Sequence, residues 1–323
     1  MNGQQVRATW QAFHDEIEGL RPDLYRYCRH LTRSPYDAED LVQDVLAKAF
    51  ITIAGTMDEI ENPRAWLFRV ASNVWLDRVR HARGELVAEV PEREAPSGEP
   101  RGSREAVGTL ISMLAPQERA AVVLKDVFDF SLEDIAGMIS TTPNAVKAAL
   151  HRGRGKLGAE EREEVSAPAP AVLDAFCAAF NARDLDRLTS LLLETTTSEM
   201  VGSATQYGRE APRHPKHGML MGMLGVYTGV DPRYRQDYLP EPARAEVRAH
   251  RGGHVVLIWC KHTTGEAVRA IARLVDDGEG HVARLRIWFW TDDLIAEVCR
   301  ELGVPFRVNG PPPLLAMGPT SSL

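Results

Sequence analysis

The densest set of groups able to hold a nucleic acid lies in Phe130–Leu157, FSLEDIAGMISTTPNAVKAALHRGRGKL. Thr142, Asn144 and Lys147 fall near the leading, outward side of a helix opened by Pro143. His151, Arg152, Arg154 and Lys156 follow with no intervening acid. Such a row offers donors to phosphate oxygens, and an arginine fork can also read a guanine edge. The elements that must position this row are legible too. Ser131 is placed to cap a helix starting at Leu132, with Asp134 completing a loose capping box. Leu132, Ile135, Ala136 and Ile139 form one apolar face, Ser140-Thr141-Thr142 a break, and Val146, Ala149 and Leu150 a second inward face. Two short helices can cross with this spacing and offer the second to a major groove. A helical pair whose basic end is merely solvated would carry the same residues.

A second basic stretch is Pro63–Gly84, PRAWLFRVASNVWLDRVRHARG. Arg64, Arg69, Arg78, Arg80 and Arg83 oppose one acid, Asp77, and Asn73 adds donor and acceptor groups. Trp66 and Trp75 either support bases by stacking or belong to the core with only the arginines outside. Upstream, YDAEDLVQDVLAKAF has the opposite character: Asp37, Glu39, Asp40 and Asp44 make a local acidic surface. Phosphate would repel it, so it suits a basic protein partner or plain solvent.

The histidines are less organised. His214, His217, His250, His254 and His262, with Asp237 and Asp292, are candidate acid–base groups; the His214-Pro-Lys-His217 spacing could put two imidazoles near one another, but the sequence does not make the set converge. They are expected to be satisfied or solvated, with no metal, no cofactor and no catalytic residue. In LRIWFW, alternation puts Leu285, Ile287 and Phe289 on one face and Arg286, Trp288 and Trp290 on the other. The second trio is the candidate wall of a pocket or an interface.

The chain has 323 residues, a formal net charge of -7, 44% hydrophobic and 26% charged residues. That is a globular composition with room for more than one core, and it argues mildly against non-specific wrapping of nucleic acid. Cys28, Cys177, Cys260 and Cys299 form no CxxC pair, as expected of free thiols in a reducing compartment. No run approaches the roughly 20 apolar residues that cross a bilayer, and the N-terminus is too polar for a secretory signal. A cytoplasmic location with no membrane partner is expected.

Helical spacing covers Val6 to about Arg83, with Asp37 as the expected N-cap of the helix carrying Ala38–Ala49 and Pro63 in the first turn of a later helix. Gly84–Ser103 holds three prolines and a run of glutamates, an extended acidic linker. Ala106–Leu157 is helical again, and SAPAPAP marks a boundary. Beyond it, Ala171–Phe180 and Leu185–Leu193 read as helices. Strands are expected around Ser198–Val201, Ala243–Ala249, Val255–Cys260, Ala267–Val275 and Val282–Trp290. Gly252-Gly253 and Asp276-Asp277-Gly278 are placed at antiparallel turns.

DAEDLVQDVLAKAF, PRAWLFRVASNVWLDRVR and LAPQERAAVVLKDVFDFSLEDIAGMISTTPNAVKAALHRGRGKL resemble, in order and spacing, the two regions of an extracytoplasmic-function sigma factor of the sigma-70 class. The later half resembles the SnoaL-like branch of the cone-shaped, NTF2-like α+β fold. The resemblance implies two all-helical sigma domains, the second with a helix-turn-helix, followed by an α+β domain. The implied boundaries are 1–83 for polymerase docking and the -10 element, 84–105 for an acidic linker and 106–159 for the -35 element. A second linker spans 160–170, the SnoaL-like domain 171–309 and an extended tail 310–323. Core RNA polymerase and promoter DNA are the implied partners. Asp37, Glu39, Asp40, Gln43 and Asp44 would dock on polymerase. Asn73, Asp77 and Arg80 would act at the -10 element, and Thr142, Asn144, Lys147, His151, Arg152 and Arg154 at the -35 element. The last domain would modulate activity, with a small ligand or an intramolecular partner. Two other functions compete: a SnoaL-like enzyme acting on an apolar metabolite with the helical half as scaffold, and a non-catalytic regulator binding DNA or protein.

Overall fold

A serine followed by a proline, rather than the nearby aspartate, starts the helix that carries the acidic stretch. Ser34 Oγ accepts from Asp37 N at 3.3 Å, and Pro35 opens the helix, where its missing donor costs nothing. Asp37 is therefore inside the first turn and is not the N-cap. The computed structural model describes residues 12–13, 15–55, 60–88, 114–155, 170–215, 218–226 and 241–310. It divides into two compact units, Met1–Glu163 and Glu164–Leu323. Trp10, Lys156, His217 and Asp237 lie outside the described residues, as do the side chains of Arg83 and Arg154 and the tail 311–323.

The first unit is helical: α1 (Arg21–Thr32), α2 (Pro35–Gly55), α3 (Pro63–Ala88), α4 (Pro116–Asp126), α5 (Leu132–Met138) and α6 (Pro143–Gly155). Asn62 Oδ1 caps α3 by accepting from Ala65 N at 3.0 Å. This helix runs to Ala88, beyond the expected break at Gly84, because no proline arrives before Pro91 and one glycine costs a helix only about 1 kcal/mol. An aromatic cluster holds the helices together. Tyr27 and Phe68 stack at 4.9 Å, Phe128 meets both rings edge-on, and Phe130 lies 5.4 Å from Phe68. The Tyr27 hydroxyl is satisfied by Ser72 Oγ at 2.8 Å, so the polar end of a fully buried ring leaves no unpaired group.

The second unit is α+β, the class expected from the sequence. It comprises α7 (Ala171–Asn181), α8 (Leu185–Ser190), β1 (Leu192–Met200), β2 (Ala204–Tyr207), α9 (Met219–Met223), β3 (Pro242–His250), β4 (Gly253–His262), β5 (Gly265–Asp276), β6 (Val282–Trp288) and α10 (Asp292–Glu301). The sheet order is β2-β1-β6-β5-β4-β3, with β1 parallel to β6 and every other neighbour antiparallel. Ala245, Val256, Ile258, Ala270, Ala272, Leu285 and Ile287 share a core with Phe176 and Phe180 of α7 and with Met219 and Met223 of α9.

Two expectations shift here. The helix from Leu185 ends at Ser190, and Leu192 and Leu193 already belong to β1. Three threonines follow them, and their branched side chains favour a strand. The helix Asp292–Glu301 was not expected. Its acidic first turn and buried Leu294, Ile295, Val298 and Cys299 at helical spacing are the signal that marks it.

Candidate nucleic-acid interface

The helix-turn-helix forms where its caps require it. Ser131 Oγ accepts from Asp134 N at 3.0 Å and starts α5. Ser140 takes a left-handed conformation (φ 52°), and Thr141 N closes onto Ala136 O at 2.9 Å. Thr142 Oγ1 then accepts from Ala145 N at 3.2 Å, capping α6. Thr142 therefore has a structural task in addition to any contact with DNA. Ile135, Ala136, Met138, Ile139, Val146, Ala149 and Leu150 are buried, which fixes the rotation of α6. Asn144, Lys147, His151 and Arg152 are left on its exposed side.

Two features beneath that face hold it in place. Arg152 Nε donates to Glu118 Oε1 at 2.6 Å, while Glu118 Oε2 accepts from Ala115 N and closes the first turn of α4. Gly153 sits where α6 approaches α4: a Cβ there would lie 2.6 Å from Val122 Cγ2. Sequence reasoning missed both. The G in HRGRGK was the available signal, since an interior helical glycine often marks a close approach.

On α3, Asn73, Asp77, Arg69 and Arg80 are exposed, and Asp77 pairs with Arg80. Trp75 is 5% exposed and lies under Arg119 at 5.5 Å, so it belongs to the core; Trp66 is half-buried. Arg64 is turned inward. It donates to Asp23 Oδ2 at 3.2 Å and stacks on Phe130 at 4.9 Å. The basic face of α3 is correspondingly narrower than its composition suggests.

The acidic stretch also divides. Asp37 and Asp44 are exposed, and Asp40 and Gln43 are half-buried. Glu39 is fully buried and accepts from Arg21 Nη2 and Gln43 Nε2, each at 2.6 Å. Its expected role at a docking surface is corrected: it ties α1 to α2. Arg78 of α3 reaches Asp44 and the carbonyl of Asp40, so the acidic and basic stretches are joined at this point.

In the second unit two of the candidate pocket trio meet, with Arg286 over the Trp288 ring at 5.1 Å. Trp288 is 1% exposed, Arg286 donates to Glu199 Oε2 at 2.8 Å, and Trp290 lies past the end of β6 against Phe289. The acid–base candidates are dispersed. His254 and His262 stand eight residues apart on β4, about 26 Å along a strand. His250 pairs with Glu301, and both oxygens of Asp292 accept from the backbone near Asn309. Among the described residues, Asp277, Glu279 and His281 come close enough to share a cation, but Asp277 is engaged by the backbone of its own turn. No described helix is long and apolar enough to cross a membrane.

Residues 17–85 match Sigma-70 region 2 and residues 104–157 match Sigma-70, region 4. The chain is 30% identical over 226 residues to the ECF RNA polymerase sigma factor SigG of Mycobacterium tuberculosis, covering 58% of this chain and 61% of that protein's length. It is 30% identical over 288 residues to the ECF RNA polymerase sigma factor SigJ of the same organism, covering 76% of this chain and 89% of SigJ. The crystal structure of SigJ aligns with 86% of this chain and 97% of its own, at 20% identity and a TM-score of 0.31. With both sigma-70 regions present in order and 89% of the SigJ sequence matched at 30% identity, the chain belongs to the ECF RNA polymerase sigma factor family.

Proposed function

We propose that this protein is an alternative sigma factor. Its helical unit binds core RNA polymerase and promoter DNA and directs transcription initiation, and its second unit, a SnoaL-like module, modulates that activity. The observation that carries the reading is the rotation of α6. Apolar burial turns Val146, Ala149 and Leu150 inward and leaves Asn144, Lys147 and His151, with the outer part of Arg152, open to a DNA groove. In this reading Thr142, Asn144, Lys147, His151, Arg152 and Arg154 serve the -35 element, and Asn73, Asp77 and Arg80 the -10 element. Asp37, Asp40, Gln43 and Asp44 form the polymerase-docking surface. Phosphoryl transfer and its metals belong to the polymerase, and the location is the cytoplasm.

The domain bounds follow the sequence reading, with the first domain extended to Ala88, where α3 ends. The test compares the full chain with a truncation after Leu157, each mixed with core polymerase and passed over a sizing column before transcription. Both forms are expected to co-elute with core, and their transcription rates to differ. Failure of both to associate, while a related sigma factor does, overturns the reading. Equal rates overturn the modulatory role alone.

A further inference from the structure

Buried cations are ordinarily paired, because a guanidinium removed from water needs a counter-charge or a full set of acceptors. Arg269 departs from that pattern. It is 8% exposed, and among the described residues its guanidinium makes one hydrogen bond, from Nε to Asn309 Oδ1, and no ion pair. Among the described residues the carboxylate of Asp292 lies near it, and that group already accepts from Asn309 N at 3.0 Å and Gly310 N at 3.1 Å.

Two more donors stand at the same end of the sheet. Residues Pro305–Arg307 run beside the first half of β5, where β6 does not reach. Val268 N donates to Pro305 O at 2.9 Å, and Arg307 N to Val268 O at 3.0 Å. This brings Arg307 over the β4–β5 turn, where its Nη2 donates to Thr264 Oγ1 at 2.9 Å and, among the described residues, meets no carboxylate. His262, paired with Gly265 at the end of β4, has a buried Nε2 without a hydrogen-bond partner. Burial, and then the charges of Arg269 and Arg307, hold this imidazole below its ordinary pKa.

We propose that Arg269, Arg307 and His262 bind the carboxylate of a small organic acid at the end of the sheet where the C-terminal segment joins β5. With Nε committed to Asn309, Arg269 keeps its two terminal nitrogens for a ligand, Arg307 adds an exposed cation, and His262 Nε2 can donate once. That donor set suits a flat, two-oxygen acceptor. The site also touches the anchor of the chain's final segment, since Asn309 Nδ2 donates to Arg269 O at 2.8 Å and to Phe289 O. A bound carboxylate neutralises the arginine that this asparagine holds.

The test is calorimetric titration of the full chain with sodium propionate, with inorganic phosphate and sodium chloride at matched ionic strength as the other arms. Propionate is expected to saturate at millimolar concentration, and Arg269→Gln and Arg307→Gln each to weaken it about tenfold, the effect of losing one charge-assisted hydrogen bond. Arg307 is exposed, so Arg307→Gln is expected to keep the wild-type melting midpoint and separates loss of binding from loss of fold. The proposal is overturned by absence of saturation, by unchanged affinity in Arg307→Gln, by tighter binding of phosphate, or by an equal response to chloride.

Discussion

Arg152 Nε lies 2.6 Å from Glu118 Oε1, and this contact joins the outward helix α6 to α4 beneath it. The Glu118 carboxylate is 7% exposed, whereas the Arg152 side chain remains 56% exposed. One residue thus holds the helix and presents charge. Removing it takes a charged donor from a buried carboxylate, so Arg152→Ala is expected to lower stability by about 2 kcal/mol. Lys147→Ala is expected to change stability by less than about 0.5 kcal/mol. It should also reduce the salt dependence of DNA binding by about one counterion. Urea melts and binding titrations at several salt concentrations check both. Equal stability loss in the two variants would contradict the assignment.

Gly153 gives the second prediction. The Cβ of Gly153→Ala would meet Val122 Cγ2 at 2.6 Å, forcing α6 away from α4. Overpacking of this kind costs about 1–3 kcal/mol. DNA affinity should fall as well, although alanine adds no charge and removes no donor. A variant as stable as wild type in urea would show that the helices yield without cost.

How much of this was legible beforehand differs between the units. The two crossing helices of the helix-turn-helix and the inward face of α6 followed from residue spacing, because burial of every third or fourth position is a local rule. The fate of individual charges was not legible. Glu39 and Asp37 look alike in DAEDL, yet a partner eighteen residues upstream, Arg21, draws Glu39 into the core. Arg64 is likewise drawn toward Asp23 and the rings of Phe68, Phe128 and Phe130, with 38% of its side chain still exposed. In the sheet, alternation assigned Arg286 and Trp288 to one face. It could not show that Trp288 is 1% exposed there or that Glu199, on a strand paired out of sequence order, holds Arg286.

The acidic stretch yields a third prediction. Glu39→Ala removes the 2.6 Å ion pair of Arg21, whose side chain is 12% exposed, and is expected to cost about 3 kcal/mol of stability. Asp44→Lys breaks a pair that is largely solvated, costs under about 1 kcal/mol, and should instead weaken association with core polymerase. Thermal melts and a core-binding titration separate the two effects. Unchanged association in Asp44→Lys would remove this face from the docking surface.

Acid should loosen the second unit in a defined window. Burial alone would raise the Glu301 pKa, but Arg251 and His250, the latter at 2.7 Å, overcome it and hold the carboxyl at about 2. A carboxyl depressed from 4.5 contributes stability that is complete above the unfolded value and is lost as pH falls toward the folded one. After discounting for solvent at this half-exposed group, the contribution is about 1.5 kcal/mol. The Glu301 part of the stability gap between wild type and Glu301→Gln should therefore close between pH 4.5 and about 2, while at neutral pH and above the gap stays flat. His250 is held below its ordinary pKa chiefly by burial, so its own contribution is also lost on acidification, starting nearer neutrality. Denaturant unfolding across pH reads both. A gap that widens below pH 4.5 would contradict the sign.

The most direct test of the central claim is mapping of transcript start sites made by core polymerase on a library of genomic fragments, with and without the full-length chain. The expected result is a restricted set of starts, each preceded by the same pair of short elements, which disappears with Lys147→Glu. Starts indistinguishable from those of core polymerase alone would contradict it.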